Sequence, residues 1–358
     1  MAERLISADS HVNMDHDRVK EHLAAEHQAA YDAAVGAFQA EMLRTMGAGR
    51  ANADSMKQNP HAAFSRPGYG NAAERLLDMD ADGVETEVVY SEVSGFRYLY
   101  LLEDRRSALA ATQAFNDAML AWGSVDPKRL VVSCQVPIHD VELAVGEVER
   151  VAAAGCKSLQ LPVFPAELGA PDYYDESYEP LFGVIQETGL PICCHIGLNR
   201  ALDDLARRDP TPQKGVMVPM TALSTAEAFG MWILGGVFER FPDLNIVYVE
   251  PGLGWVVWYL EVIDDLVARQ GYTFDRISRR PSDYFHDNVH LTFIEEHTAL
   301  EKLRDILGVE NLLWSTDYPH PVTSWPDSRA LIERQFAGVP ADERELMLSG
   351  NATRVWNL

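Results

Sequence analysis

Eight short runs of β-branched and apolar residues recur along the chain, and each is separated from the next by a longer segment of helical spacing. The runs are RLISAD (4–9), VETEVVYS (84–91), LVVSCQVP (130–137), KSLQLPV (157–163), PICCHIG (191–197), NIVYVEPG (245–252), VHLTF (289–293) and NLLWSTD (311–317). Strands alternating with helices make βα units and a parallel sheet, and eight units are what a closed (β/α)8 TIM barrel needs. The intervening segments carry matching signals. In DVELAVGEVERVAAAG, residues Val141, Ala144, Val145, Val148, Val151 and Ala152 share one helical face. Asp140 can cap that helix, and Gly155 can end it in a left-handed turn. Gly189 does the same before LPICCH, and Pro326 suits the first turn of a helix running to about Gly338.

Two stretches exceed the bare repeat. Residues 13–70 follow the first run and predict an insertion with helical material around 19–47. Residues 198–226, which include RRDPTPQKGVMVP, predict a long loop after the fifth run, placed to act as a lid. Both follow strand ends and so belong to one face of the barrel. No linker divides residues 1–358, and a single barrel of this length is ordinary. In WVVWYLEVIDDLVARQ, the aromatic start (Trp255, Trp258, Tyr259) is read as core packing before subunit interface.

A formal net charge of -24 repels phosphate backbones and anionic lipid, which argues against nucleic acid and membrane surfaces as partners. No apolar run nears the roughly 18 residues of a bilayer span, and the N-terminus lacks a signal-peptide pattern. Cys134, Cys156, Cys193 and Cys194 fall in or beside apolar segments without metal-ribbon spacing. They predict buried thiols in a reducing cytoplasm, and with nucleic acid and membrane set aside the expected partner is a small-molecule substrate.

Catalytic groups of such barrels collect at the C-terminal strand ends. Those ends carry Asp9 and His11, then His195, then Glu250, then Asp317 with His320 just beyond. Two imidazoles with two or three carboxylates suit one divalent cation, and Asp9 and His11 alternate so that one strand face can present both. Zinc is the expected ion, and manganese is the other that a carboxylate-rich set suits.

The stretches ISADSHV, LLDMDADGVETEVV, GLPICCHIG, FPDLNIVYVEPGLGW and LLWSTDYPHPVTSWP resemble the amidohydrolase superfamily over nearly the whole chain. The resemblance is to its amidohydrolase-related branch, which includes aminocarboxymuconate-semialdehyde decarboxylase and the γ-resorcylate-type decarboxylases. It implies a mononuclear metal site at Asp9, His11, His195 and Asp317, and a homodimer is common among relatives. Asp9 departs from the His-x-His form of the first strand. Glu250 stands where many relatives place a histidine acid or base, and His320 is a candidate to take over that work.

The first expectation is therefore a metal-dependent hydrolase, in which Asp317 moves a proton with help from His320 or Glu250. The second is a non-oxidative decarboxylase of an aromatic or unsaturated acid. The third is a catalytically silent ligand-binding barrel. Arg44, Arg50 and Arg66 in the insertion could meet an anionic substrate, although surface solvation is their ordinary role.

Overall fold

A computed structural model describes residues 3–45, 65–92, 97–197 and 199–358. Eight strands pair in parallel in chain order: β1 (Ile6–Val12), β2 (Thr86–Ser91), β3 (Leu130–Gln135), β4 (Ser158–Gln160), β5 (Ile192–His195), β6 (Ile246–Val249), β7 (Val289–Phe293) and β8 (Leu312–Trp314). The ring closes just beyond β8. Asp317 N donates to Asp9 O at 3.0 Å, and His11 N donates to Tyr318 O at 2.6 Å. This is the expected (β/α)8 barrel.

The pleat divides β1, β2, β3, β5, β6 and β8 between two apolar layers. Ile6, Ala8, Val88, Tyr90, Val131, Cys193, Val247, Val249 and Leu313 form the inner one, into which Trp356 packs from the helix Asn351–Trp356. Leu5, Val12, Val89, Val132, Cys134 and their counterparts face outward into a larger layer shared with the helices. All four cysteines are free and buried.

The helix Val141–Ala153 is capped by Asp140, which accepts from Leu143 N at 3.3 Å, and Gly155 follows at φ 89. Its buried face carries Ala144, Val148 and Val151, and also Glu147, whose charge is met by Arg150 at 2.8 Å. The helix expected from Pro326 starts instead at Ser328 and ends at Gln335. Asp82 fixes that start by accepting from Ser328 N at 2.9 Å.

The insertion carries helices His16–Glu21 and Ala25–Thr45 and the 3-10 turn Pro67–Tyr69, whereas its residues 46–64, with Arg50, lie outside the described residues. Arg66 is engaged by Asp78 and lies 5.1 Å from the Trp325 ring centre, and Arg44 is exposed.

The long loop expected over 198–226 is not a loop. It folds as helix Arg200–Arg208, turn Pro212–Lys214 and the first half of helix Met217–Leu234. Asn199 caps the first helix through Leu202 N at 2.8 Å. Asp209 then accepts from Thr211 N, Val216 N and Met217 N and so ties the proline-rich turn to the second helix.

The expectation about apolar runs needs a similar correction. Residues Met217–Arg240 are long and apolar enough to cross a membrane by length and composition. Polar residues punctuate the segment, and Ala228, Phe229, Trp232 and Ile233 are buried in the outer core. Trp258, expected in the core, is 63% exposed, while Trp255 packs against that core.

Candidate metal centre

A local irregularity in β1 aims Asp9 and His11. Register against β2 shifts between Ser7 and Ser10, so β1 carries one extra residue there. Plain alternation from the inward Ile6 and Ala8 would turn Asp9 outward. The bulge resets the phase, and Asp9 and His11 both face the interior at the mouth. Each is completely buried.

There they meet the ends of β5 and β8. His11 Nε2 and His195 Nε2 are 3.1 Å apart. Asp9 Oδ1 lies 3.5 Å from the first and 3.6 Å from the second, and Asp317 Oδ1 lies 3.2 Å from His11 Nε2. Glu250 Oε2 is 3.7 Å from His195 Nε2. The backbone pays for two of these positions, since Glu250 and Asp317 adopt φ 58 and φ 52, in the left-handed region. Such strain in residues with side chains collects at functional sites.

The donor set fits a cation. Both oxygens of Asp9 and Oδ2 of Asp317 are buried without a hydrogen-bond partner. Ligands held about 2.0–2.2 Å from one ion lie roughly 3.0–3.5 Å from each other, close to the separations seen here. His195 Nδ1 is 2.8 Å from Ile196 O. A ring that donates through Nδ1 presents the Nε2 lone pair to the site. Asp9, His11, His195 and Glu250 form one set able to hold an ion, and His11, Glu250, Asp317 and His320 form an overlapping one.

Electrostatics separate the carboxylates. Burial pushes Glu250 well above its ordinary value, and the charges of Asp317 and Asp9 push it further. Burial also opposes ionisation of Asp317, but His320 and His11 outweigh it and hold the group below the usual carboxylate range. His320 is lowered by burial and raised by Asp317 and Glu92, and the net effect is well above 6.5. Its Nδ1 is 2.7 Å from Asp317 Oδ1, and its Nε2 is 3.3 Å from Glu92 Oε1.

The amidohydrolase family profile matches residues 11–358. The chain belongs to the amidohydrolase family. This amidohydrolase is 26% identical over 264 residues to a γ-resorcylate decarboxylase of Rhizobium sp. (strain MTP-10005), covering 68% of this chain and 76% of the other. It is 24% identical over 283 residues to a 2-amino-3-carboxymuconate-6-semialdehyde decarboxylase of Dictyostelium discoideum, covering 78% and 74%. Among solved structures, its fold matches a 5-carboxyvanillate decarboxylase of Novosphingobium aromaticivorans at a TM-score of 0.75 and 16% identity, over 100% and 97% of the two chains. That structure holds manganese and 4-hydroxy-3-methoxy-5-nitrobenzoic acid.

All six residues expected at the strand ends meet at the mouth of this amidohydrolase. Glu295 and Glu296 do not join them: Glu295 pairs with His297 at 3.3 Å, and Glu296 accepts from Leu253 N at 2.9 Å. Two participants were not anticipated. Glu92 stands one residue past β2, where the strand-end rule points if the strand is followed one step further. Arg75 is completely buried behind β1, where it donates to Glu87 Oε2 at 2.7 Å, to Gly68 O at 2.9 Å and to His11 O. It marks no strand end, so that rule gives no signal for it.

Proposed function

We propose that this amidohydrolase is a metal-dependent, non-oxidative decarboxylase of a small aromatic or unsaturated carboxylic acid. The observation that carries the proposal is the donor set itself: orphaned carboxylate oxygens and two imidazoles converge beside Glu250, a carboxyl whose hold on a proton is strengthened by burial and by the charges of Asp317 and Asp9. A group that bears a proton suits protonation of carbon, whereas hydrolysis by a metal-activated water calls first for a base. The decarboxylase names of the curated relatives support this choice over the hydrolase, which was the first expectation.

Asp9, His11, His195 and Asp317 would hold one divalent cation. When bound, the cation supplies a positive centre for a carboxylate and a neighbouring hydroxyl or carbonyl oxygen. Manganese is preferred to the zinc first expected, because the site is rich in oxygen donors and a decarboxylase of the same fold holds manganese. Asp317 is kept ionised by its two imidazoles, and its free Oδ2 is the acceptor for a substrate hydroxyl proton. Glu250 delivers its proton to the carbon that loses the carboxyl group. The bond to that group breaks, its electron pair stays on the substrate carbon, the proton fills the position, and carbon dioxide leaves.

Free buried thiols suit a reducing compartment, and we infer a cytoplasmic enzyme acting on small molecules. We infer a homodimer as its assembly. Trp258 and Val262, both exposed and four residues apart on helix Gly254–Gln270, offer an apolar face that a second copy could cover.

The test is a carbon dioxide assay on hydroxylated benzoic acids, with chelator-stripped protein and with the same protein reloaded with manganese. Release that depends on reloading supports the proposal. Metal-independent release, or turnover of amide and lactone probes in place of the acids, would overturn it.

A further inference from the structure

Glu92 lies outside the donor set but is built into its surroundings. Its backbone N donates to Val12 O at 3.1 Å, which ties it to β1. The Tyr69 side chain hydrogen-bonds its carboxylate, and Tyr69 O in turn accepts from Asn13 N at 3.0 Å. Glu92 is therefore held from β1 and from the insertion together. Its Oε1 faces His320 Nε2 at 3.3 Å, in an ion pair.

The opposite ring nitrogen of His320 touches the central carboxylate. Nδ1 is 2.7 Å from Asp317 Oδ1, which also lies 3.2 Å from His11 Nε2. Asp317 Oδ2 is buried and has no hydrogen-bond partner. The two oxygens of Asp317 are thus made unequal by the groups that occupy Oδ1. The His11 and His320 rings are 4.1 Å apart, so movement of His320 disturbs both partners of that oxygen.

We propose that Glu92 is a positioning residue: it anchors the His320 ring so that Nδ1 stays on Asp317 Oδ1 and Asp317 Oδ2 stays open to the site. Glu92 acts through His320 and touches no reacting atom. The inference builds on the site reading above, but it concerns geometry that exists whichever acid is the substrate. Groups that orient a ligating or catalytic side chain in this way are typically worth about tenfold to a hundredfold in affinity or activity.

Two variants test it in the full chain, Glu92→Ala and Glu92→Gln. The first readout is independent of turnover: proton and nitrogen NMR of metal-free protein labelled at histidine, following the His320 Nδ1–H shared with Asp317. In Glu92→Ala that downfield resonance is expected to shift and broaden as the ring is released. In Glu92→Gln, whose amide oxygen can still face Nε2, it is expected to stay near the parent position. In manganese-loaded protein, Glu92→Ala is expected to lose about tenfold to a hundredfold in kcat with KM changed less than about threefold, and Glu92→Gln to recover most of the loss. An unchanged resonance in Glu92→Ala overturns the proposal even if the parent decarboxylates nothing on offer. If Glu92→Ala fails to fold, Glu92→Leu, which keeps bulk but offers no acceptor, takes its place, and an unchanged resonance in it overturns the proposal. Loss of metal from either variant with the resonance intact would assign Glu92 to the ion instead and equally overturn it.

Discussion

His11 Nε2 and His195 Nε2 face each other at 3.1 Å, although 184 residues separate them in the chain. Two ring nitrogens so close cannot both carry a proton toward the other, and Asp9 Oδ1 sits within 3.6 Å of each. Three donors aimed at one point fit a bound cation better than a set of internal hydrogen bonds. We expect close to one equivalent of divalent metal per chain, measured by elemental analysis after dialysis. His195→Ala should lose most of it while circular dichroism stays at the parent's level. Parent-like metal in that variant would contradict the ligand assignment.

Under the proposed function Asp317 would do two things, hold the cation and accept a proton. Asp317→Asn keeps the shape and one oxygen but removes the base. Reloaded to the parent's metal content, this variant should lose at least about a hundredfold in turnover, the usual scale for a lost general base. Near-normal turnover at full metal loading would leave Asp317 as a ligand only. The ion pair to His320 should make His320→Asn the milder of the two.

Arg75 carries a structural prediction. Its guanidinium is completely buried, pairs with the equally buried Glu87, donates to His11 O and lies 4.1 Å from the Tyr318 ring centre. Arg75→Met would strand the Glu87 charge, a change that typically costs about 3–5 kcal/mol. Urea unfolding should show that loss, and Arg75→Lys should restore little of it, because an ammonium cannot reproduce the planar fork. A loss below about 1 kcal/mol would mean that Glu87 is relieved by other means.

His290, on β7, provides a pH signature away from the metal centre. Burial, aided by Arg354, lowers it from 6.5 to about 4. The unfolded chain therefore binds this proton first, and stability is full above about 6.5 and is lost as pH falls toward 4. The displacement corresponds to about 3 kcal/mol at most. Urea midpoints measured across that window should fall more steeply for the parent than for His290→Gln. Parallel slopes would show that His290 is protonated in the folded protein.

Much of this was legible in the sequence because it obeys local periodicity. Eight apolar runs and their intervening faces announce the barrel, and the strand-end rule gathers Asp9, His11, His195, Glu250, Asp317 and His320 from their places in the sequence alone. The hidden parts depend on pairing between distant segments. The β1 bulge is a property of register against β2, and nothing in ISADSHV marks it. The helices inside 198–226 were masked by Pro210 and Pro212, which read as loop until Asp209 is seen collecting the backbone N–H groups around them. Glu92 was missed because β2 ends one residue earlier. Arg75 was missed because the partners that give its charge a place in the core, Glu87 and the His11 carbonyl, are contributed by two strands.

Protonation of a carbon that has lost a carboxyl group is the step that defines the proposed function. Manganese-loaded protein incubated with hydroxylated benzoic acids, and with amide and lactone probes, in heavy water enriched in oxygen-18 would reveal it. Product masses are then read by mass spectrometry. The expected result is a product lacking the carboxyl group, with one deuterium at the vacated carbon and no solvent oxygen. Cleavage of the amide or lactone probes with solvent oxygen in the acid formed, and no loss of carbon dioxide from the benzoic acids, would contradict it and restore the hydrolase.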